Sequence, residues 1–200
     1  MTIKIAVLVV LAFAILFPPG GAASAAEVVP FVYVPSGTEI SGSQTVSFQP
    51  YARFNEDYRL WGANLVFSPA GYGFYFPVAL VDFDGGDEGV LLGAGYNQFF
   101  DSQSPNGRWL GDIRYTHVTE ADTDSITGTA THVWYTGNAI TYAGGHLSGV
   151  FGDSDGLGWG GHIGVKFGLS ENAVLELQGG YDEFDDNGAL SAGFSLGFGV

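Results

Sequence analysis

Two hundred residues make one domain's worth of chain, and 32 glycines with 15% aromatic residues describe a β protein better than a helical one. Cysteine is absent, which excludes disulfide staples, thiolate catalysis and zinc-thiolate sites. The formal net charge of −15 counts Lys4 in a leader region, so the remainder is more acidic still and speaks against nucleic acid as a partner.

The chain opens as a targeting segment. Lys4 supplies a basic start, Ile5 to Phe17 an apolar stretch, "PPGG" a break and Ala23 to Ala25 ("ASA") a small-residue cleavage site, which together read as a secretory signal peptide over 1–25. The apolar run falls short of the ~20 residues that a membrane-spanning helix needs. No later segment is long and apolar enough to span as a helix, so insertion into a membrane would have to be by strands. Residues 26–43 form an N-terminal extension to which the sequence assigns no role, and 44–200 read as one β domain without a linker.

From there a unit repeats: an alternating stretch of roughly ten residues, then a turn. Strands are expected at 44–54, 58–67, 72–82, 89–100, 108–118, 125–135, 138–150, 158–168, 172–182 and 188–200. Their length suits the ~9–11 residues of a tilted membrane-crossing strand rather than the ~5–6 usual in soluble proteins. Pro50 and Pro77 fall inside expected strands and imply bulges or mispaired edges. In 108–118, Trp109, Ile113 and Tyr115 share one face and Arg108, Asp112 and Arg114 the other. In 158–168, Leu157, Trp159, Ile163, Val165 and Phe167 oppose His162 and Lys166, and in 172–182, Ala173, Leu175, Leu177 and Tyr181 oppose Glu176, Gln178 and Asp182. The terminal strand places Leu190, Ala192, Phe194, Leu196, Phe198 and Val200 at every second position, to the last residue.

Alternation alone fits a soluble sandwich with aromatics inside as well as a barrel with aromatics facing lipid. The connections separate the two. One set reads "NED", "DFDGGDE", "TEADTDS", "GDSDG" and "DEFDDN"; the other reads "SPAG", "DSQSPNG", "TGN" and "LSEN". Nearly all loop acid lies in the first set, which fits a small antiparallel transmembrane β-barrel with charged outer loops and tight inner turns. An even count of about ten strands follows, or eight if a pair within 120–150, where alternation is poorest, merges.

The whole mature sequence resembles the bacterial outer-membrane β-barrel class, most specifically in its ending. Phe194, Leu196, Phe198 and Val200 are similar to the C-terminal strand pattern that the barrel assembly machinery reads, with Val200 where the class commonly has Phe. The resemblance implies an outer-membrane location and the assembly machinery as a partner. It brings no activity with it.

Several residues are candidates for function. Arg53, Arg108, Asp112, Arg114, His162, Lys166 and Glu176 are expected in the lumen, where a register pairing Phe167 with Leu175 sets Lys166 against Glu176. Such groups pin a packed lumen or line a narrow porin-like channel for small solutes. Arg59 shares the parity of Trp61, Leu65 and Phe67, which places it at the outer rim within reach of lipid phosphates. Asp82, Asp84, Asp87 and Glu88, with Asp153 and Asp155, are hard oxygen ligands suited to calcium or magnesium, but neither loop reaches the glutamate an EF-hand requires at its twelfth position. A solvated acidic rim bridged by cations to lipopolysaccharide is the alternative, and no other cofactor is expected. His117 and Thr119 resemble the His-x-Ser pair of outer-membrane lipid A deacylases, with Thr for Ser, and would make a lipid hydrolase. His132 and His146 read as structural. Trp61, Trp109, Trp134 and Trp159 read as interfacial girdle residues. The leading expectation is a non-enzymatic surface barrel, ahead of the channel, the hydrolase and a soluble sandwich.

Overall fold

A computed structural model describes residues 28, 33–35, 46–68, 72–100, 107–137, 139–152, 155–170 and 172–199. The expected signal peptide, its cleavage site, Asp153 and Val200 lie outside the described residues. Ten antiparallel strands run as β1 (Val46–Phe54), β2 (Tyr58–Phe67), β3 (Tyr72–Phe83), β4 (Glu88–Phe99), β5 (Arg108–Val118), β6 (Thr123–Thr136), β7 (Ala139–Gly152), β8 (Gly156–Ser170), β9 (Ala173–Phe184) and β10 (Asn187–Gly199). Each end falls within two residues of the expected one. Neighbours in sequence pair, and β1 pairs β10, so the sheet closes on itself and leaves no edge.

The eight-strand alternative does not hold. Residues 123–152 form two strands of 14 residues each, paired without a break from Thr123 opposite Gly152 to Thr136 opposite Ala139. The alternation is faint there because outward places are taken by Gly128, Ala130 and Gly145 and inward ones by Thr127, Thr129, Thr131 and Ser148, so neither face has strong polarity.

Of the two expectations for the prolines, bulges and mispairing, the structure shows the second. The β1–β10 ladder skips Gln49 and Pro50, and the β3–β4 ladder skips Phe76 and Pro77, yet register resumes unchanged beyond each gap. A proline lacks the N–H that one neighbour would accept, so it opens a local gap on that side only. On their other sides Pro50 still stands opposite Ala63 and Pro77 opposite Asn64. The register shift falls instead between Gly168 and Ser170, in the β8–β9 ladder.

Polarity is inverted relative to a soluble sandwich. Phe74, Phe76, Val78 and Leu80 point outward from β3 and stay exposed, while Arg53, Asp112, Arg114, Lys166, Glu176 and Asp182 are buried inside. Inward glycines admit the largest side chains: a Cβ on Gly95 would stand 2.2 Å from the Tyr75 ring, and one on Gly164 would stand 2.2 Å from the Tyr142 ring. The tyrosines can therefore lie flat across the narrow lumen.

The acidic connections among the described residues, at 55–57, 84–87, 119–122 and 185–186, leave one end of the barrel, where β7 also ends and β8 begins. The last is a two-residue hairpin loop in which Asp185 (φ 49°) and Asp186 (φ 64°) both take positive φ, as a type I′ turn demands. Aspartate tolerates that conformation better than most residues, so turn geometry as well as charge explains this acid pair. Within the 55–57 loop, burial first, then Glu56 and Asp84, raises the Asp57 carboxyl above its ordinary value. A carboxyl raised on folding favours the folded state fully below its unfolded pKa, and that contribution fades as pH climbs through the raised value. Asp57→Asn should therefore raise the denaturation midpoint slightly at neutral pH, within the ~0.5 kcal/mol of surface changes, and not at all in strong acid. Urea titrations at the two pH values check this, and a gain that persists in acid would refute the linkage.

Candidate functional site

Among the described residues, the lumen is where the fold gathers chemistry from many strands. Inward parity on β1, β5, β7, β8, β9 and β10 brings polar groups into a buried interior, where each must find a partner or carry a desolvation cost. Glu176, fully buried on β9, is the hub. Its Oε2 accepts from Gln49 Nε2 at 2.6 Å and from the Ser195 hydroxyl at 3.1 Å, and its Oε1 accepts from the Tyr142 hydroxyl at 2.7 Å. Lys166 stands directly opposite on β8, with Nζ 3.4 Å from Oε2. Five strands thus converge on one carboxylate.

A second cluster lies nearer the acidic end. Arg53 Nη2 meets Asp182 Oδ2 at 2.5 Å and donates to the Ser191 hydroxyl at 2.8 Å, bridging β1, β10 and β9. His146 Nε2 stands 3.5 Å from the other oxygen of Asp182. On β5, Arg114 is fully buried with Asp112 two residues away on the same face, and the Tyr75 hydroxyl donates to Asp112 Oδ2 at 2.7 Å. His162 Nε2 and the Thr131 hydroxyl are 2.9 Å apart. Arg108, at the opposite end, lays its guanidinium over the Phe99 ring at 4.1 Å.

The lumen also holds part of the N-terminal extension, to which the sequence assigned no role. Val28 packs among Tyr51, Tyr58, Leu60, Val81, Leu91 and Val118 near the acidic end. Val34 packs among Phe99, Leu110, Val133, Ile140 and Tyr142 near the opposite end. Tyr33 joins Val66 and Tyr75, its ring 5.4 Å from the Tyr75 ring, and Lys166 Nζ donates to the Val34 carbonyl. The void beside Val28 is only about 10 Å³, too small to pass solute. Bulky apolar residues at 28, 33 and 34 were the available signal, but nothing in the sequence said that the barrel's own lumen would receive them.

The remaining candidates lie outside or at the rims. Arg59 Nη1 is 3.6 Å from Asp82 Oδ2, so it is engaged by a neighbouring strand. Trp61 and Trp159 are exposed toward the acidic end, against Phe54 and Tyr181 respectively. Trp109 and Trp134 are exposed toward the other end, with the His132 ring between them at 4.9 and 4.5 Å. His117 Nδ1 is 3.0 Å from Asp124 Oδ1, which also accepts from the Tyr115 hydroxyl at 2.6 Å. The Thr119 hydroxyl accepts from the Val90 amide at 3.0 Å instead of meeting His117. Among the described residues no three His, Asp or Glu side chains come together as a metal site, and Asp155 accepts from the Gly152 amide at 2.9 Å. In the terminal strand Leu196 and Phe198 are exposed and Phe194 is half-buried. A concavity of about 930 Å³ faces outward over β4 to β8, bordered by Phe100, Ile113, Leu147 and Trp159 around Gly128 and Gly145. Its position puts it in contact with acyl chains rather than aqueous solutes.

Closure without an edge, an apolar exterior ending in two tryptophan-bearing rims and an ion-paired interior define the class: a transmembrane β-barrel. No family model matches the sequence, and no curated protein matches it. Among solved structures it is similar to a KdgM porin in complex with disordered oligogalacturonate (TM-score 0.45, 8% identity, 78% of this chain and 99% of that one). It is also similar to the N-terminal β-barrel domain of Pseudomonas aeruginosa OprF (0.41, 12%, 78% and 98%) and to a de novo designed transmembrane β-barrel (0.41, 10%, 78% and 97%). None of these likenesses is close enough to carry an activity or a ligand across.

Proposed function

We propose that this chain is an integral barrel of a Gram-negative outer membrane without chemistry of its own, serving envelope integrity or surface contact through its acidic end. The observation that carries this reading is a lumen packed with the chain's own side chains. Arg53 pairs with Asp182 and Lys166 with Glu176, Arg114 lies beside Asp112 on β5, and Val28 and Val34 of the extension pack towards opposite ends. A closed polar interior serves stability and leaves partners to the rims. The acidic end then faces outward, where Asp82, Asp84, Asp87, Glu88 and Asp155 meet lipopolysaccharide through bridging divalent cations, and the exposed alternate residues of β10 are what the assembly machinery reads. A hydrolase gains no support from the His117 and Thr119 pair, because the Thr119 hydroxyl meets the Val90 amide instead of His117, and the purified protein is expected to release no acyl chain from lipid A.

Electrophoresis of unboiled and boiled envelope samples tests the reading. A closed barrel in the outer-membrane fraction should migrate differently until boiled. A soluble periplasmic protein with no shift would overturn it.

A further inference from the structure

Resting on that barrel reading and adding a transport role to it, we propose that an oblique row of polar side chains in the lumen holds a file of water and passes protons between the two rims, while the packed interior keeps solutes out. The row is written in the strand register. Asn97 on β4 stands opposite Asp112 on β5, Asp112 opposite Thr129 on β6, and Thr129 opposite His146 on β7. His146 stands opposite Gly160 on β8, and Gly160 opposite Asp182 on β9. Apart from Gly160, each of these is polar and no more than 8% exposed. The row begins and finishes at opposite ends of the barrel: Asn97 is two residues from the end of β4 away from the acidic loops, and Asp182 two residues from the acidic end of β9. Matched residues on tilted strands climb the wall, so one row of neighbours covers most of the barrel's height.

The groups in this row hold hydrogen-bonding capacity that packing does not require. Among the described residues, Asn97 Oδ1 and Nδ2, Asp112 Oδ1, Thr129 Oγ1 and His146 Nδ1 are buried with no hydrogen-bond partner. Four consecutive positions thus carry a desolvation cost that a bound water would lift. Residues matched across neighbouring strands stand roughly 4.5–5.5 Å apart at Cα, a gap that one water spans with a hydrogen bond to each side. The last step is direct. A Cβ on Gly160 would stand 2.5 Å from the His146 ring, so its absence lets the ring reach over β8 to Asp182, with Nε2 3.5 Å from Oδ1. Both aspartates are held from the other side. Tyr75 donates to Asp112 Oδ2, and Arg53 and Ser191 donate to Asp182 Oδ2, which leaves Oδ1 of each for the row. Asp112, His146 and Asp182 can each accept a proton at one atom and give one up at another, so every proton gained is matched by one passed on, while Asn97 and Thr129 hold the water between. The nearby cations raise no positive barrier, since Arg53 is paired with Asp182 and Arg114 lies beside Asp112.

Thr129→Val tests the middle of the row, because valine keeps the shape and removes a hydroxyl that no described group uses. Thr127→Val is the control: the same strand and inward face, but a hydroxyl that meets Ser148 outside the row. The whole protein, shown to be folded by its gel shift, is placed in phospholipid vesicles loaded with a pH-reporting dye. Valinomycin and equal potassium on both sides cancel the potential, and the outside is acidified. The parent should acidify the interior faster than protein-free vesicles do, without releasing entrapped sucrose. Thr129→Val should slow the protein-dependent rate about tenfold, the worth of one hydrogen bond at the upper end of its usual range, and Thr127→Val should not slow it. Asn97→Leu interrupts the row elsewhere, should slow the rate likewise, and decides the matter if Thr129→Val loses the gel shift. A parent rate equal to that of protein-free vesicles would overturn the proposal, as would equal rates for the two valine variants. Sucrose release by the parent would overturn it in favour of an open channel. Loss of the gel shift in the unsubstituted protein would instead remove the barrel reading on which the row rests.

Discussion

Replacing Glu176 with alanine is expected to cost the barrel about 3–5 kcal/mol, the range for removing one partner of a buried ion pair. The reason is specific to its place. Glu176 is fully buried, so Lys166, equally enclosed, would lose its counter-charge with no water to replace it. Gln49, Ser195 and Tyr142 would lose their acceptor at the same time. Those neutral donors are worth about 1 kcal/mol each, less than the orphaned ammonium, so the charge should dominate. A Lys166→Met, Glu176→Leu double variant separates the terms. It removes both charges while keeping volume, and replacement of a buried pair by apolar groups is often neutral or better. It should recover most of the loss, held short of full recovery by the three donors. The midpoint at which the unboiled, fast-migrating form disappears in urea measures each variant. A double variant no more stable than Glu176→Ala would show that the hydrogen bonds, not the charge, hold this interior together.

Ile113→Arg is expected to cost about 2–4 kcal/mol in a bilayer, the penalty for a cation on the lipid face near the midplane. Ile113 lies at the middle of β5, outward and 57% exposed, between inward Asp112 and Arg114. Its neighbours in sequence are thus charges that the fold accepts one position away. Arg59 shows the complementary case: an outward cation is tolerated at the end of β2, beside Asp82 and at a rim. Folding yield into vesicles of increasing acyl length reads the effect, since a longer acyl chain buries the mid-strand position more deeply. An Ile113→Arg protein that folds as well as the parent would mean that this face does not meet lipid.

The fold was unusually legible because its rule is local. In a barrel each residue's environment follows from its parity on a strand, and parity is written in the sequence two residues at a time. Lys166 and Glu176 could be set opposite each other once Phe167 was matched to Leu175, since parity along two paired strands carries one match to the next. The segregation of acid into alternate loops gave the barrel its two ends. Where the text was faint, in β6 and β7, the cause was small and hydroxyl-bearing residues on both faces rather than any irregularity of pairing.

What parity could not say is who meets across the lumen. Arg53 finds Asp182 from 129 residues away, and Tyr75 finds Asp112 across β4. These partners depend on strand stagger and on glycines at 95 and 164 that let a tyrosine ring lie across the interior, quantities set by closure of the whole sheet. Nor could the sequence assign Val28, Tyr33 and Val34 to the lumen, because no periodicity ties an extension to an interior that exists only once ten strands have closed around it. The sequence by itself determined the strands, the inward and outward faces and the acidic end, all of which follow from nearest-neighbour chemistry. Tertiary structure alone decided the ion-pair partners and the filling of the lumen, because those contacts arise from curvature, and curvature belongs to the closed barrel rather than to any strand in it.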